Sequence, residues 1–328
     1  MSGNSDSWFV SPFNEPGTAG TPVTIHDCSI RETEQQPGID FTLDQKLDLA
    51  GRLAEAGVSQ IEAGIPALDE RQRDHVAKLV ASGIDANFTA VCGIRTADVE
   101  IAADCGVWGV LTSVPAGILQ LRHKAKIGSD EALERAAAAV GLAKERGLFV
   151  ILSMAYATRA SLDFLTAIVA EAAGLGVDRI RVVDSPGAAA PEAIELLVRV
   201  VDASTDLPIE VHCHDDFGLA TANSLRAVRA GADVVSCSLG GFGPRAGNAA
   251  LEEVVLALEL LYGRPTGVQL DRLVDLVRAI EGHTGRPFPG HKAVSGSNLL
   301  SPSVFAKKGA DENPLTSQSF LPGLVGHR

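Results

Sequence analysis

No apolar run in this 328-residue chain reaches the ~18–20 residues that a membrane span needs. Cations are scarce as well. The 28 Lys and Arg stand against 41 Asp and Glu, a formal net charge of −13. Phosphate binding needs a basic face, so the charge argues against a nucleic-acid partner, and no polybasic segment offers a membrane anchor. An anionic substrate must then be held locally, by a site such as a metal. The five cysteines are odd in number and none forms a CxxC pair. That argues against a disulfide framework or a structural zinc knuckle and makes the reducing cytoplasm the expected location. Residues 1–20 have neither a basic n-region nor an apolar h-region, so they are not a secretory signal. They read as a flexible polar tail.

Apolar residues make up 46% of the chain, enough for a sizeable core. From residue 21 onward, short apolar or β-branched runs alternate with amphipathic stretches rich in Ala, Leu and Glu. Strands are expected over 23–26, 60–63, 87–91, 109–113, 149–154, 179–183, 209–212 and 234–238. Helices are expected over 43–56, 70–82, 97–105, 130–146, 162–174, 191–203, 220–230 and 249–261. Several of these helices run into Gly-containing turns, a common helix stop. Alternating βα units require a parallel sheet covered on both faces. Eight of them at this length fit a closed (β/α)8 TIM barrel of ~250 residues, here residues 21–262, with an open doubly wound sheet as the alternative. Residues 263–328 turn rich in Pro, Gly and Ser. They read as an extended arm with a helix over 271–283, of the kind that packs on another subunit.

Three segments offer chemistry. His212-Cys213-His214 closes the seventh strand and is followed by Asp215 and Asp216. Residues i and i+2 of a strand point to one side, so both imidazoles can chelate one metal at the barrel mouth, where active sites form. Two histidines in a polar core layer is the alternative. A catalytic metal also needs an oxygen ligand and an open position. The segment Asp27-Cys28-Ser29-Ile30-Arg31-Glu32-Thr33-Glu34-Gln35, after the first strand, offers carboxylates beside an arginine, or else a surface salt-bridge turn. Finally, Gly241-Phe242-Gly243-Pro244-Arg245-Ala246-Gly247-Asn248 mimics a dinucleotide fingerprint. It follows the last strand rather than the first, so an anion or metal loop is the better reading.

Together these segments resemble the DRE-TIM metallolyase superfamily, in its isopropylmalate and homocitrate synthase branch. Further matching stretches are Ile61-Glu62-Ala63-Gly64-Ile65-Pro66, His212 through Asn223, Asn313-Pro314-Leu315-Thr316 and Leu324-Val325-Gly326. The resemblance implies that a divalent metal (Mg2+, Mn2+, Zn2+ or Co2+) is held by Glu32, His212 and His214, with Asn248 at or near the fourth position. It implies a catalytic role for Arg31 and substrate contacts from Gln35 and Ser185; Asp27 and Tyr156 are further catalytic candidates, and Ser153 and Arg245 further candidates for substrate contact. The implied chemistry is a Claisen-type condensation of acetyl-CoA, or a related acyl-CoA, with a 2-oxo acid in a homodimer. A leucine-sensing domain has no room in the chain, so no feedback inhibition by leucine is expected.

The departures from the family pattern are specific. Its two strand-five acids are Ala155 and Tyr156 here. Its tail histidines fall at Ala306 and Asp311, its tail tyrosine is Ser317, the acid before Arg245 is Pro244, and the arginine of homocitrate synthases is Ile151. The last change disfavours 2-oxoglutarate. The metal-binding half is therefore present, while the proton-transfer half is altered, with Tyr156, His123, Asp184 and His291 as substitutes. A C–C lyase or aldolase without a thioester step, and a metal-binding regulator, are the competing readings.

Overall fold

The structure is a computed structural model that describes residues 9–14, 20–301 and 313–327. Eight parallel strands close into a barrel in chain order. They are β1 (Thr24–Asp27), β2 (Gln60–Gly64), β3 (Asn87–Cys92), β4 (Gly109–Pro115), β5 (Phe149–Ala155), β6 (Arg179–Asp184), β7 (Ile209–Cys213) and β8 (Val234–Cys237). The β1–β8 seam closes in register, with Thr24 opposite Val234 and Asp27 opposite Cys237. Each expected strand is present, with ends moved by one or two residues.

A short helix α1 (Ser29–Thr33) follows β1. Around the barrel stand α2 (Leu43–Glu55), α3 (Glu70–Val80), α4 (Thr96–Asp104), α5 (Ser129–Glu145), α6 (Leu162–Gly174), α7 (Pro191–Asp202), α8 (Ala220–Ala230) and α9 (Leu251–Leu261). Local chemistry sets their starts. Thr42 and Gln45 form a reciprocal capping box on α2, while Asp69 and Ser161 cap α3 and α6. Such caps each contribute ~1 kcal/mol by satisfying orphan amides. The inner helix faces, such as Leu49 and Leu53 on α2, are fully buried.

The last segment wraps onto its own barrel. Helix α10 (Leu273–Thr284) docks on α2, where His283 Nε2 lies 2.7 Å from Asp48 and Gln45 donates to the His283 carbonyl. Val325 is fully buried, and His327 meets the Val294 carbonyl at 3.0 Å. Most of the expected tail over 1–20, and the altered tail positions Ala306 through Asp311, lie outside the described residues.

The barrel interior is not apolar throughout. At its lower end the Phe149 ring stacks on Trp108 with centroids 4.2 Å apart, and the Arg179 guanidinium covers Phe149 at 5.3 Å. Above this plug lies a layer of ions. Arg179 reaches Glu210 at 2.9 Å and Gln60 at 2.8 Å, and Arg181 reaches Glu210 at 2.9 Å and Glu62 at 2.6 Å. His26 completes it, with one ring nitrogen on Glu210 at 3.0 Å and the other on Thr89 at 2.9 Å. Charges this deep persist only when paired, and the strand pleat brings the pairs together.

Candidate metal centre

The ends of β1 and β8 are laced together first. Cys28 N–H donates to the Cys237 carbonyl at 2.9 Å. Asp27 accepts from the Ser29 amide at 2.9 Å and the Ser29 hydroxyl at 2.7 Å, and the Ser29 oxygen accepts from Leu239 N–H at 2.7 Å. These bonds start α1 and aim its Arg31 and Glu32 into the mouth. Burial pushes the Asp27 carboxyl up to about 7 against the hydrogen bonds of Ser29. Asp27 was expected among the catalytic groups. The structure pairs its carboxylate with the Ser29 amide and hydroxyl, and Asp27 is not among the residues that line the cavity.

His212 is the penultimate residue of β7 and His214 follows two residues later. Their rings stand edge to face with centroids 4.8 Å apart. Glu32 comes in from α1, and ligand atoms of the three residues all lie within 4.8 Å of one another. All three are buried. Asn248 joins them through a backbone bridge to His214. Its side-chain amide donates to the Phe242 carbonyl at 3.1 Å, which turns Oδ1 the other way. Gly247 makes this turn possible. Its φ is +96°, and a Cβ there would run into the Gly241 carbonyl, so an L side chain is excluded twice over.

The donor set suits a divalent cation. Glu32 Oε2, His214 Nδ1 and Asn248 Oδ1 are buried without a hydrogen-bond partner in the protein, a costly state for polar atoms that nothing else engages. Burial, Arg181 and His214 hold His212 well below the ordinary imidazole range. Burial, Arg245 and Arg31 hold His214 down at about 4. Both rings are thus neutral near pH 7, as ligation requires.

Around this set lies a cavity of about 190 Å3 lined by Arg31, Gln35, Ser153, Tyr156, Ser185 and Arg245, among others. Each expected substrate-contact residue therefore reaches one space. Arg31 bridges Glu32 and Glu62. Arg245 has a left-handed backbone, φ +59°, and pairs with Asp216 at 2.9 Å across the rim. Of the four substitutes for the missing acids, only Tyr156 lines the cavity. Asp184 is fully buried and spends its oxygens on Thr158 and the amides of Ala188 and Ala189. His123 and His291 are exposed and line neither this cavity nor the one beside it. Tyr156 too is left-handed, φ +60°, a strain of the kind found at functional sites. It also borders a second cavity of about 720 Å3 that carries Arg95, Lys124 and Arg135.

Arg181, another lining residue, was not anticipated. Its signal was present, since Arg179 and Arg181 alternate with Ile180 and Val182 on β6, the two-residue period of a strand with one polar face.

Residues 22–280 match the HMGL-like family model. The chain is 43% identical over 305 residues to homocitrate synthase AksA of Methanopyrus kandleri, covering 93% of this chain and 77% of that protein. It is 36% identical over 307 residues to (R)-citramalate synthase CimA of Methanocaldococcus jannaschii, covering 93% of this chain and 62% of that one. Among solved structures, the HMG-CoA lyase of Bacillus subtilis superposes with a TM-score of 0.74 at 23% identity, covering 83% of this chain and 96% of the lyase. That last likeness concerns the fold.

Proposed function

The chain belongs to the HMGL-like family, and on that premise we propose that it condenses an acyl-CoA, acetyl-CoA in the simplest case, with a 2-oxo acid in a divalent-metal-dependent Claisen reaction. The observation that carries this reading is the meeting of Glu32, His212 and His214 under one cavity, with partnerless atoms on Glu32, His214 and Asn248. Glu32, His212 and His214 would hold a dication there, which would supply Lewis-acid polarisation of the oxo acid. The relatives matched over nearly the whole chain are named as synthases, which favours condensation over cleavage.

The protein's own groups divide the remaining work. Arg31 stands beside Glu32 and stabilises negative charge growing on the former ketone oxygen. Ser153, Ser185 and Gln35 offer hydrogen bonds to the substrate carboxylate, and Arg245 closes the rim. Tyr156, on the wall shared by both cavities, is placed to move the proton between a thioester methyl on one side and the oxo acid on the other. The methyl carbon gives up that proton and bonds the ketone carbon. Water then hydrolyses the thioester, releasing CoA and a 2-substituted malate-type acid.

Charge narrows the oxo acid. Arg31, Arg179 and Arg181 are matched by Glu32, Glu62 and Glu210 in the buried cluster, and Arg245 by Asp216. Among the described lining residues no arginine is left for a second substrate carboxylate, and Ile151 is apolar. An oxo acid with an uncharged side chain fits best. A homodimer through residues 263–328 completes the proposal and is checked by light scattering.

The test is incubation with Mg2+ or Mn2+, acetyl-CoA and a panel of 2-oxo acids in the presence of a thiol reagent. CoA release that depends on an uncharged oxo acid is expected. Pyruvate-like product from hydroxy acids without CoA would place the enzyme among the lyases, and silence in both arms would refute catalysis of either kind.

A further inference from the structure

We infer that Ser236, held by Arg181, positions the metal centre: its hydroxyl oxygen accepts a hydrogen bond from Nδ1–H of His212 and so leaves the Nε2 lone pair of that ring facing Glu32. The inference rests on the metal reading given above and concerns which nitrogen of His212 is free to ligate.

His212 and Ser236 are direct partners across β7 and β8. His212 Nδ1 lies 3.0 Å from Ser236 Oγ, while Nε2 faces Glu32 Oε1 at 3.7 Å. Both side chains are buried, Ser236 completely. Arg181 also reaches Ser236 Oγ. A guanidinium only donates, so it occupies one lone pair of the oxygen; ligation through Nε2 requires the ring proton on Nδ1, and the second lone pair of the hydroxyl accepts it. With the ring proton on Nδ1, Nε2 carries an unprotonated lone pair aimed into the cluster of Glu32 and His214. The opposite tautomer would direct an N–H at Glu32 and leave no lone pair there. The second bond of a ligating histidine fixes its tautomer and orientation in this way.

The serine is fixed in turn by charge rather than by a loop. Arg181 is anchored by Glu62 at 2.6 Å and Glu210 at 2.9 Å, and Glu210 by His26 at 3.0 Å. The buried ion layer therefore ends on the far side of His212.

The experiment is titration of the metal-free, full-length protein with Mn2+ alone, followed by calorimetry and electron paramagnetic resonance. Ser236→Ala is expected to weaken Mn2+ binding about 10–100-fold, and Ser236→Thr, which keeps the hydroxyl, to restore it to within about threefold of wild type. The 15N shifts of His212 in the metal-free protein should report a proton on Nδ1, and this signature should be lost in Ser236→Ala. Wild-type affinity in Ser236→Ala, or a Thr variant as weak as the Ala variant, would overturn the inference and leave the metal site standing. Absence of Mn2+ binding in the wild type would overturn the metal reading itself.

Discussion

Arg31 and Arg181 hold opposite oxygens of a single carboxylate. Arg31 Nε donates to Glu62 Oε2 at 2.6 Å, and Arg181 Nη2 donates to Glu62 Oε1 at 2.6 Å. One arginine belongs to the mouth and the other to the ion layer, so Glu62 is the joint between them. Burial raises its pKa, but the two guanidiniums outweigh burial and bring it down to about 2.

Removing that joint should therefore disturb both halves. Breaking a buried ion pair costs ~3–5 kcal/mol because the partner charges stay behind. Glu62→Gln should lower the melting temperature by on the order of 10 °C, as read by circular dichroism. A variant that melts with the wild type would show that Arg31 and Arg181 are held by something other than Glu62.

Metal retention tests the ligand set. His212→Ala and Glu32→Gln should each abolish stoichiometric metal after dialysis, measured by elemental analysis. Full occupancy in either variant would sink that assignment.

Tyr156→Phe removes one oxygen and nothing else. If the phenol moves the proton, kcat should fall ~10²–10⁴-fold with metal content unchanged. Gly117→Ala gives an independent check. A Cβ there would lie 2.7 Å from the Tyr156 Cβ, so the ring must shift and the rate should fall in parallel. Full activity in Tyr156→Phe would move the proton transfer elsewhere.

Stability should depend on pH through Glu252. This fully buried residue of α9 accepts from Gly240 N–H at 2.9 Å, and burial pushes its carboxyl up to about 7 despite Lys292. The folded state then holds a proton that the unfolded state releases near the ordinary value of 4.5. The resulting stabilisation is complete below 4.5 and is lost as pH rises through 7, a difference of about 3 kcal/mol. Glu252→Gln keeps an acceptor for Gly240 without titrating, so melting at pH 5 and pH 8 should differ less in the variant than in the wild type. Equal pH dependence in the two proteins would remove Glu252 from this role.

Much of this molecule was legible from the chain. The βα rhythm located all eight strands because each is bounded by turn residues and followed by an amphipathic run. The His212–His214 spacing announced a shared direction, and the structure confirms that the two rings meet. Other features left little trace. Helix α1 spans five residues, too short for periodicity, and it depends on the Asp27–Ser29–Leu239 links across the β1–β8 seam. The ion layer was missed because strands of a parallel barrel are expected to be apolar on both faces, whereas His26, Glu62, Arg181 and Glu210 satisfy one another only once the barrel closes. The left-handed Tyr156 and the π-helical turn Gln120–Ala125 follow from tertiary packing that no local pattern encodes.

The aromatic and arginine stack of Trp108, Phe149 and Arg179, with the ion layer above it, fills the barrel beneath the metal centre. The cavity over Glu32 and the histidines opens at the C-terminal ends of the strands, so substrate and product share that side. On the proposed reaction, the oxo acid lies deepest and the thioester settles over it from the larger cavity beside Tyr156. Traffic is then a stack: the acid enters first, the thioester covers it, and CoA must clear the doorway before the lengthened acid can follow.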